Sequence, residues 1–176
     1  MKTVSKHGAP HFDDGARLDG APGAVTPEDV TFRRMTQDDI PSVMRIEKTS
    51  FSRPWHPDTF RSLATRSDTE PWVGVTSDGE IAGYTVFWCV MDEAELANIA
   101  VAGVFQNRGI GSALLDKVVE VARSREVVSL YLEVRMSNER AHRMYLHRGF
   151  EQVGIRRGYY QGPKEDARVL AKRLDS

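Results

Sequence analysis

A change of hydrophobic period at Gln106-Asn-Arg-Gly-Ile-Gly111-Ser112 constrains the fold of this chain more than any other feature. The run Leu96–Val101 before it is short and apolar, as in a strand, whereas the apolar residues after it recur at helical spacing. A glycine-rich junction of this kind places unpaired backbone N–H groups at the positive end of a helix dipole. Gly109 and Gly111 leave room for a bulky anion, and Arg108 adds positive charge. The junction suits a diphosphate, although ordinary turn chemistry explains such a motif equally well.

Two common phosphate loops fit this segment poorly. A Walker loop needs Gly-Lys-Ser/Thr, which is absent here. A Rossmann loop needs a third small residue where Leu114 stands, and it opens a βαβ unit, whereas antiparallel strands are expected before Gly109. Glu133 does lie near the expected position of a ribose-binding acid, so a dinucleotide enzyme stays open as an alternative.

Composition excludes several classes of protein. The 176 residues carry a net charge of −1, which favours neither nucleic acid nor an anionic membrane as a partner. Cys89 is the single cysteine, so a disulfide framework cannot form. No apolar run approaches the roughly 18 residues of a membrane span. Metal-ligand spacing is absent from the five histidines, which are His7, His11, His56, His142 and His147. We expect a monomeric, cytoplasmic protein without a metal.

Residues 1–27 are rich in Gly, Ala, Pro and Asp, which is typical of a flexible tail, and one domain is expected over residues 28–176. The patterns of that domain predict a mixed-sheet α/β protein with the order β-α-α-β-β-β-α-β-α-β-β. The expected strands are Val30–Met35, Trp72–Thr76, Ile81–Met91, Leu96–Val101, Val127–Arg135, Phe150–Tyr160 and Ala167–Leu174. The expected helices carry the apolar stripes of Ile40–Glu47, Phe60–Ala64, Ala113–Ala122 and Asn138–His147. Turns are expected at Ser77–Gly79 and Asp92–Glu95.

Five short motifs occur in this order along the chain: Asn98-Ile-Ala-Val101, Gln106-x-x-Gly-x-Gly111, Leu132-Glu-Val134, Ser137-Asn138 and Tyr145-x-x-x-Gly-Phe150. This order resembles the GNAT superfamily of acetyltransferases. Asp92-Glu-Ala94, Leu132-Glu-Val-Arg-x-Ser-Asn138 and Ile155-Arg-Arg-x-Tyr-Tyr160, with Glu165-Asp166-Ala167 beyond them, resemble in particular the bacterial ribosomal-protein-alanine N-acetyltransferases (RimI). The resemblance covers about residues 30–174. It implies the GNAT acyl-CoA N-acyltransferase fold, acetyl-CoA as co-substrate, no metal, and the N-terminal alanine of small-subunit ribosomal protein eighteen as acceptor.

The resemblance also implies catalytic roles for Glu133 and Tyr145. The residues alone leave two alternatives open: a solvated strand carboxylate paired with a neighbouring arginine for Glu133, and a core aromatic at helical spacing for Tyr145. An N-terminal ammonium, whose pKa is near ~8, must lose a proton before it attacks a thioester, and a phenol can protonate the departing thiolate. Because an ordinary glutamate is a weak base, we expect either that burial raises the pKa of Glu133 or that a water relays the proton. In the family, the pantetheine arm occupies a gap beside the Asn98–Val101 strand. The implied cofactor-binding residues are Ile99, Ala100, Val101, Gln106, Asn107, Arg108, Gly109, Ile110, Gly111, Ser112 and Asn138.

The acceptor site is less sharply defined. Trp55, Tyr159 and Tyr160 resemble the family's walls around an incoming peptide N-terminus, but ordinary packing explains these aromatics equally well. The acids at 92, 93 and 95 form either a polar turn or a surface that attracts a basic peptide. Where many relatives have proline before the phosphate loop, this chain has Ala102-Gly103-Val104.

Three functions remain compatible with these residues: a protein N-terminal acetyltransferase, a GNAT acetyltransferase of a small-molecule amine, and an acyl-CoA-binding sensor without catalysis. The presence of both Glu133 and Tyr145 argues against the sensor. The resemblance of Leu132–Arg135 and of 156–160 favours a peptide acceptor over a small amine.

Overall fold

The computed structural model describes residues 25–174, so most of the predicted tail lies outside the described residues. The described part contains seven strands and four α-helices in the predicted order. The strands are β1 (Val30–Arg34), β2 (Thr69–Thr76), β3 (Ile81–Val90), β4 (Glu93–Val101), β5 (Ser129–Arg135), β6 (Glu151–Gln161) and β7 (Lys164–Arg173). The helices are α1 (Ile40–Ser50), α2 (Pro57–Thr65), α3 (Ile110–Ser124) and α4 (Glu139–His147).

All seven strands form one mixed sheet in the order β1-β2-β3-β4-β5-β7-β6. Neighbouring strands are antiparallel except β4 and β5, which are parallel. A parallel pair needs a crossover connection, and α3 provides it. The mixed-sheet α/β prediction is therefore confirmed.

The sheet is covered by two hydrophobic layers. Side chains of α3 and α4 pack on one face, where Leu114 and Tyr145 share a cluster with Leu132 of β5. Side chains of α1 and α2 pack on the other face, where Ile46 and Phe60 contact the cluster around β3. Alternation along β5 buries its leucines under α3 and α4, so Glu133 points to the α1–α2 face, as the sequence predicts.

The predicted turn at Asp92–Glu95 is wrong for three of its four residues, because β4 begins at Glu93. The carbonyl of Asp92 accepts the N–H groups of Val128 and Ser129, at 2.7 and 3.2 Å. Glu93 then lies directly opposite Ser129. The acidic segment joins the sheet because it pairs with a strand more than thirty positions away in the sequence. A local polar pattern does not reveal such long-range pairing.

Residues 25–27, which the sequence assigned to the tail, have defined contacts. Val25 is partly buried against the cluster under α3. The N–H and hydroxyl of Thr26 both donate to a carboxylate oxygen of Asp29, each at 2.8 Å. Pro27 lies beside the glycine-rich loop that precedes α3. The start of the described chain therefore packs against the predicted phosphate loop.

Candidate active site

Strands β4 and β5 part in the middle of the sheet. They pair from Glu93 opposite Ser129 to Leu96 opposite Leu132, although both strands continue beyond this point. On its other side, β4 carries a β-bulge, because the register with β3 leaves Ala97 as an extra residue. A bulge bends the strand that contains it. The result is a gap between β4 and β5, as the family resemblance implies.

Backbone groups of β4 line this gap. The N–H of Ala102 donates to the carbonyl of Ala82 at 2.9 Å, in the same register as the rest of the β3–β4 ladder. Since antiparallel ladders use alternate residues, Ala100 bonds to β3, whereas the N–H groups of Ile99 and Val101 point into the gap. A strand-like arm with its own amide groups can add to such an edge. The gap therefore has the donors that a pantetheine arm and a thioester carbonyl need.

The predicted phosphate loop follows the end of β4. Buried Phe105 anchors it, and the side-chain amide of Gln106 donates to the carbonyl of Val101 at 3.1 Å. Asn107 and Gly109 both have a positive φ, of 64° and 83°. Gly109 is the N-cap of α3, so the loop leads directly into the first turn of that helix, where the backbone N–H groups have no partner within the helix.

The two glycines of the loop have different reasons to be glycine. A Cβ at Gly109 would lie 3.1 Å from Cγ of Pro27, and the positive φ disfavours any side chain there. A Cβ at Gly111 would meet Val101 at 3.5 Å, which is an ordinary contact. Packing therefore does not require glycine at 111, where a small side chain would make ordinary contacts with Val101 and Met144. Arg108 and Ser112 are half-buried in the same segment.

Glu133 lies at the edge of the gap on the α1–α2 face. Its side chain is 9% exposed, and its Oε1 is 2.9 Å from Nη1 of Arg156 on β6. Burial raises the pKa of Glu133, the charge of Arg156 lowers it, and the charge of Glu95 raises it, with a net increase. The increase was one of two routes expected from the sequence, and it brings the pKa of this carboxylate closer to that of a useful base.

Tyr145 approaches from the opposite face of the sheet. It lies on α4, is 3% exposed, and packs edge-on against Phe150 with ring centroids 5.7 Å apart. Gly149, with φ of 76°, ends the helix and allows this contact. Burial raises the pKa of Tyr145 above its ordinary value. The phenol therefore keeps its proton at neutral pH and can serve as a donor.

Tyr160 contacts the backbone of Glu133, because its hydroxyl donates to the carbonyl of Glu133 at 3.4 Å. Burial is the main cause that raises the pKa of Tyr160; Tyr159 and Glu133 also raise it, whereas the charge of Arg135 lowers it. The guanidinium of Arg135 lies 4.1 Å from the centre of the Tyr160 ring, and Tyr159 packs against the same ring. Glu133 and Tyr160 are thus brought together beside the gap.

Trp55 and Asn138 have clear packing or capping roles. Trp55 is 4% exposed, and its ring lies 5.4 Å from that of Phe60, which favours the packing interpretation of this aromatic. The Oδ1 of Asn138 accepts the N–H of Ala141 at 3.1 Å and caps α4. Binding of a ligand by either residue stays a prediction.

Sequence reasoning missed Glu47, which connects the loop at Trp55, between α1 and α2, to the sheet. Glu47 is fully buried on α1 and accepts the backbone N–H of Trp55 at 2.7 Å. It also accepts the hydroxyl of Tyr84 and, at 3.2 Å, the side-chain amide of Asn98 just after the bulge. These contacts span three elements, so the pattern of one helix could show only that position 47 lies on the inner stripe. Arg156 and Arg135 were missed for the same reason.

Comparisons with known proteins agree with this geometry. Residues 40–150 match the Acetyltransferase (GNAT) family. The chain belongs to that family. Ribosomal protein bS18-alanine N-acetyltransferase of Salmonella typhimurium is 36% identical over 143 residues, which are 80% of this chain and 95% of that relative. The crystal structure of the Escherichia coli ribosomal-protein-S18-alanine N-acetyltransferase has a TM-score of 0.77 and 34% identity, and the match covers 84% of this chain and 95% of that structure. Ard1 from Thermoplasma volcanium has a TM-score of 0.76 and 27% identity, over 84% of this chain and 99% of that structure.

Among residues 25–174 of this acetyltransferase, no group of three His, Cys, Asp or Glu side chains is arranged to bind a metal ion. Over the same residues, no helix has the length and apolar character that crossing a membrane requires.

Replacing Arg156 tests the electrostatics of this acetyltransferase. Arg156→Gln removes the cation that lowers the pKa of Glu133, whereas burial and Glu95 continue to raise it. The pKa of Glu133 should therefore rise further, so a larger fraction of Glu133 is protonated at a given pH. An NMR titration of ¹³C-labelled glutamate carboxyls measures this pKa directly. Arg157→Gln, at the next and exposed position of β6, is the matched control. An unchanged or lowered pKa in Arg156→Gln would contradict the assigned ion pair.

Proposed function

We propose that this acetyltransferase transfers an acetyl group from acetyl-CoA to the N-terminal alanine of small-subunit ribosomal protein eighteen. The observation that carries the proposal is that Glu133 follows the last β4–β5 pair on one face of the sheet, while Tyr145 packs on the other face in the cluster that contains Ile99 and Val101. A base on one side and an acid on the other suit direct attack of an amine on a thioester. The names of the relatives from Salmonella typhimurium and Escherichia coli supply the acceptor.

The cofactor fits the described residues. The N–H groups of Ile99 and Val101 would hold the pantetheine arm and the thioester carbonyl, and the N–H groups from Gly109 to Ser112 would hold the diphosphate. The position of this segment at the start of α3, with Gly109 as the N-cap, supports the second assignment. When bound, acetyl-CoA supplies the activated acyl group.

Each catalytic side chain then has one task. Glu133 accepts a proton from the acceptor's ammonium, directly or through a water, and its raised pKa supports this role. Tyr145 donates a proton to the departing sulfur, and the second proton of the amine nitrogen, released as the amide forms, restores the phenol. Tyr160, whose ring packs against the guanidinium of Arg135, donates a hydrogen bond to the backbone carbonyl of Glu133 and so helps to position this residue. With a ribosomal acceptor, we expect the reaction to occur in the cytoplasm, and this chemistry calls for no membrane, nucleic acid or second copy of the chain.

Substitution of the two catalytic groups should reduce turnover without removing the cofactor site. Glu133→Gln and Tyr145→Phe should each lower kcat by about 10²- to 10⁴-fold, since each variant keeps the shape and loses one proton transfer. Isothermal calorimetry should show acetyl-CoA affinity close to that of the unmodified protein. Glu151→Gln, an exposed position on β6, is the control for loss of a carboxylate. Unchanged turnover in both catalytic variants would refute the assigned mechanism.

A substrate panel separates the proposed acceptor from a small amine. The purified protein and acetyl-CoA are incubated with peptides that begin with Ala, Ser, Gly or Met, and with free lysine and spermidine. Mass spectrometry should find acetylation at the α-amine of the peptide that begins with Ala and follows the ribosomal protein sequence. Acetylation of spermidine with none of any peptide would favour the small-amine enzyme. Binding of acetyl-CoA without any acetyl transfer would favour the sensor.

A further inference from the structure

A row of half-buried side chains crosses the sheet next to Glu133. Trp88 of β3 lies directly opposite Glu95 of β4, and Glu95 lies directly opposite Tyr131 of β5. Residues directly opposite one another on neighbouring strands project from the same face of a sheet. The row therefore places a carboxylate between two aromatic side chains, and small Ala171 of β7 follows Tyr131.

One carboxylate oxygen of Glu95 lacks a hydrogen-bond donor. Its Oε1 is buried and has no hydrogen-bond partner among residues 25–174. Other inward carboxylates are satisfied: Glu133 pairs with Arg156, and Glu47 accepts three donors. A buried acceptor without a donor is unfavourable until a partner arrives. Aromatic rings beside a carboxylate attract a cation that carries N–H groups, which describes a guanidinium or an ammonium.

The position of the row suits a side chain of the acceptor peptide. Tyr131 and Glu133 are two residues apart on β5 and share a face, so the row lies roughly 6.6 Å along the strand from the catalytic carboxylate. The negative charge of Glu95 also reaches Glu133, where it helps to raise the pKa. An extended peptide whose amine lies at Glu133 advances by about 3.3 Å per residue. Its second or third side chain can therefore reach the row.

We propose that Trp88, Glu95 and Tyr131 form a subsite for an arginine or lysine side chain at the second or third position of the acceptor peptide. The subsite rests on the proposed function, since it assumes that a peptide amine reaches Glu133. It selects among peptide acceptors by charge, and it leaves the transfer of the acetyl group to Glu133 and Tyr145.

The test compares arginine with citrulline, which has the same shape without the charge. Peptides that begin with Ala carry one or the other at position two or three, and kcat/KM is measured for each. The unmodified protein should prefer arginine at one of these positions by about tenfold, as expected for a charge-assisted contact beside aromatic rings. Glu95→Gln should bring this ratio close to one. Effects of the substitution on Glu133 are common to both peptides and cancel in the ratio.

Matched variants complete the design. Glu93→Gln removes an exposed carboxylate two positions earlier on the same face of β4 and should keep the arginine preference. Tyr131→Phe retains the ring and should keep most of the preference, whereas Tyr131→Leu should reduce it.

Three results would count against the subsite. Equal arginine-to-citrulline ratios in Glu95→Gln and in the unmodified protein, at both positions, refute the subsite alone. Dependence on Glu95 for spermidine but for no peptide refutes it in favour of a small polycation. An unmodified protein that acetylates no peptide at all refutes the proposed function and the subsite with it.

Discussion

The structure of this acetyltransferase depends on one interrupted strand pair. If β4 and β5 paired along their full length, the N–H groups of Ile99 and Val101 would bond across the sheet, and no gap would exist between the two faces. The bulge at Ala97 prevents this by bending β4 where the pairing with Leu132 stops. An interior sheet edge with open N–H groups is normally unfavourable. Here the edge is the feature that a ligand with its own amide groups would complete.

The elements around the gap keep it open and precise. Glu47 ties the loop at Trp55 to β3 and to Asn98 on the far side of the bulge, and it does so from a fully buried position. A buried acid with several donors is costly to disturb, so this network rigidifies the region. On the other side, Arg135 holds Tyr160, which in turn contacts the backbone of Glu133. The gap is therefore bounded by groups that have little freedom to move.

The surroundings of the two proposed catalytic groups differ. Glu133 is buried but has a cation beside it, so its pKa rises only as far as the balance between burial and Arg156 allows. Tyr145 is buried in an apolar cluster, and burial raises its pKa above the ordinary value, so the phenol stays neutral. The carboxylate is thus the proton acceptor of the pair, and the neutral phenol is the hydrogen-bond donor.

The sequence predicted the order of elements because that order depends on local periodicity: alternation along β5, helical spacing along α3, and glycine where the chain turns at 79, 109 and 149. It also predicted that Glu133 faces away from the leucines of its strand. The sequence-based prediction failed where long-range pairing determines the secondary structure. Glu93, for example, belongs to β4 because it pairs with Ser129 of β5. The roles of Glu47 and Arg156 were also hidden, since each depends on contacts between segments far apart in the chain. Trp55 showed the limit of reading aromatics from sequence, because a wall residue and a core residue have the same pattern.

The central claim is that acetyl-CoA completes the edge of β4, and amide hydrogen exchange tests it most directly. Exchange is followed by NMR for individual amides with and without the cofactor. The N–H groups of Ile99 and Val101 should exchange rapidly in the free protein and become strongly protected when acetyl-CoA is added. Ala100, which bonds to β3, should be protected in both states. Equal exchange of Ile99 and Val101 with and without saturating cofactor would contradict the account.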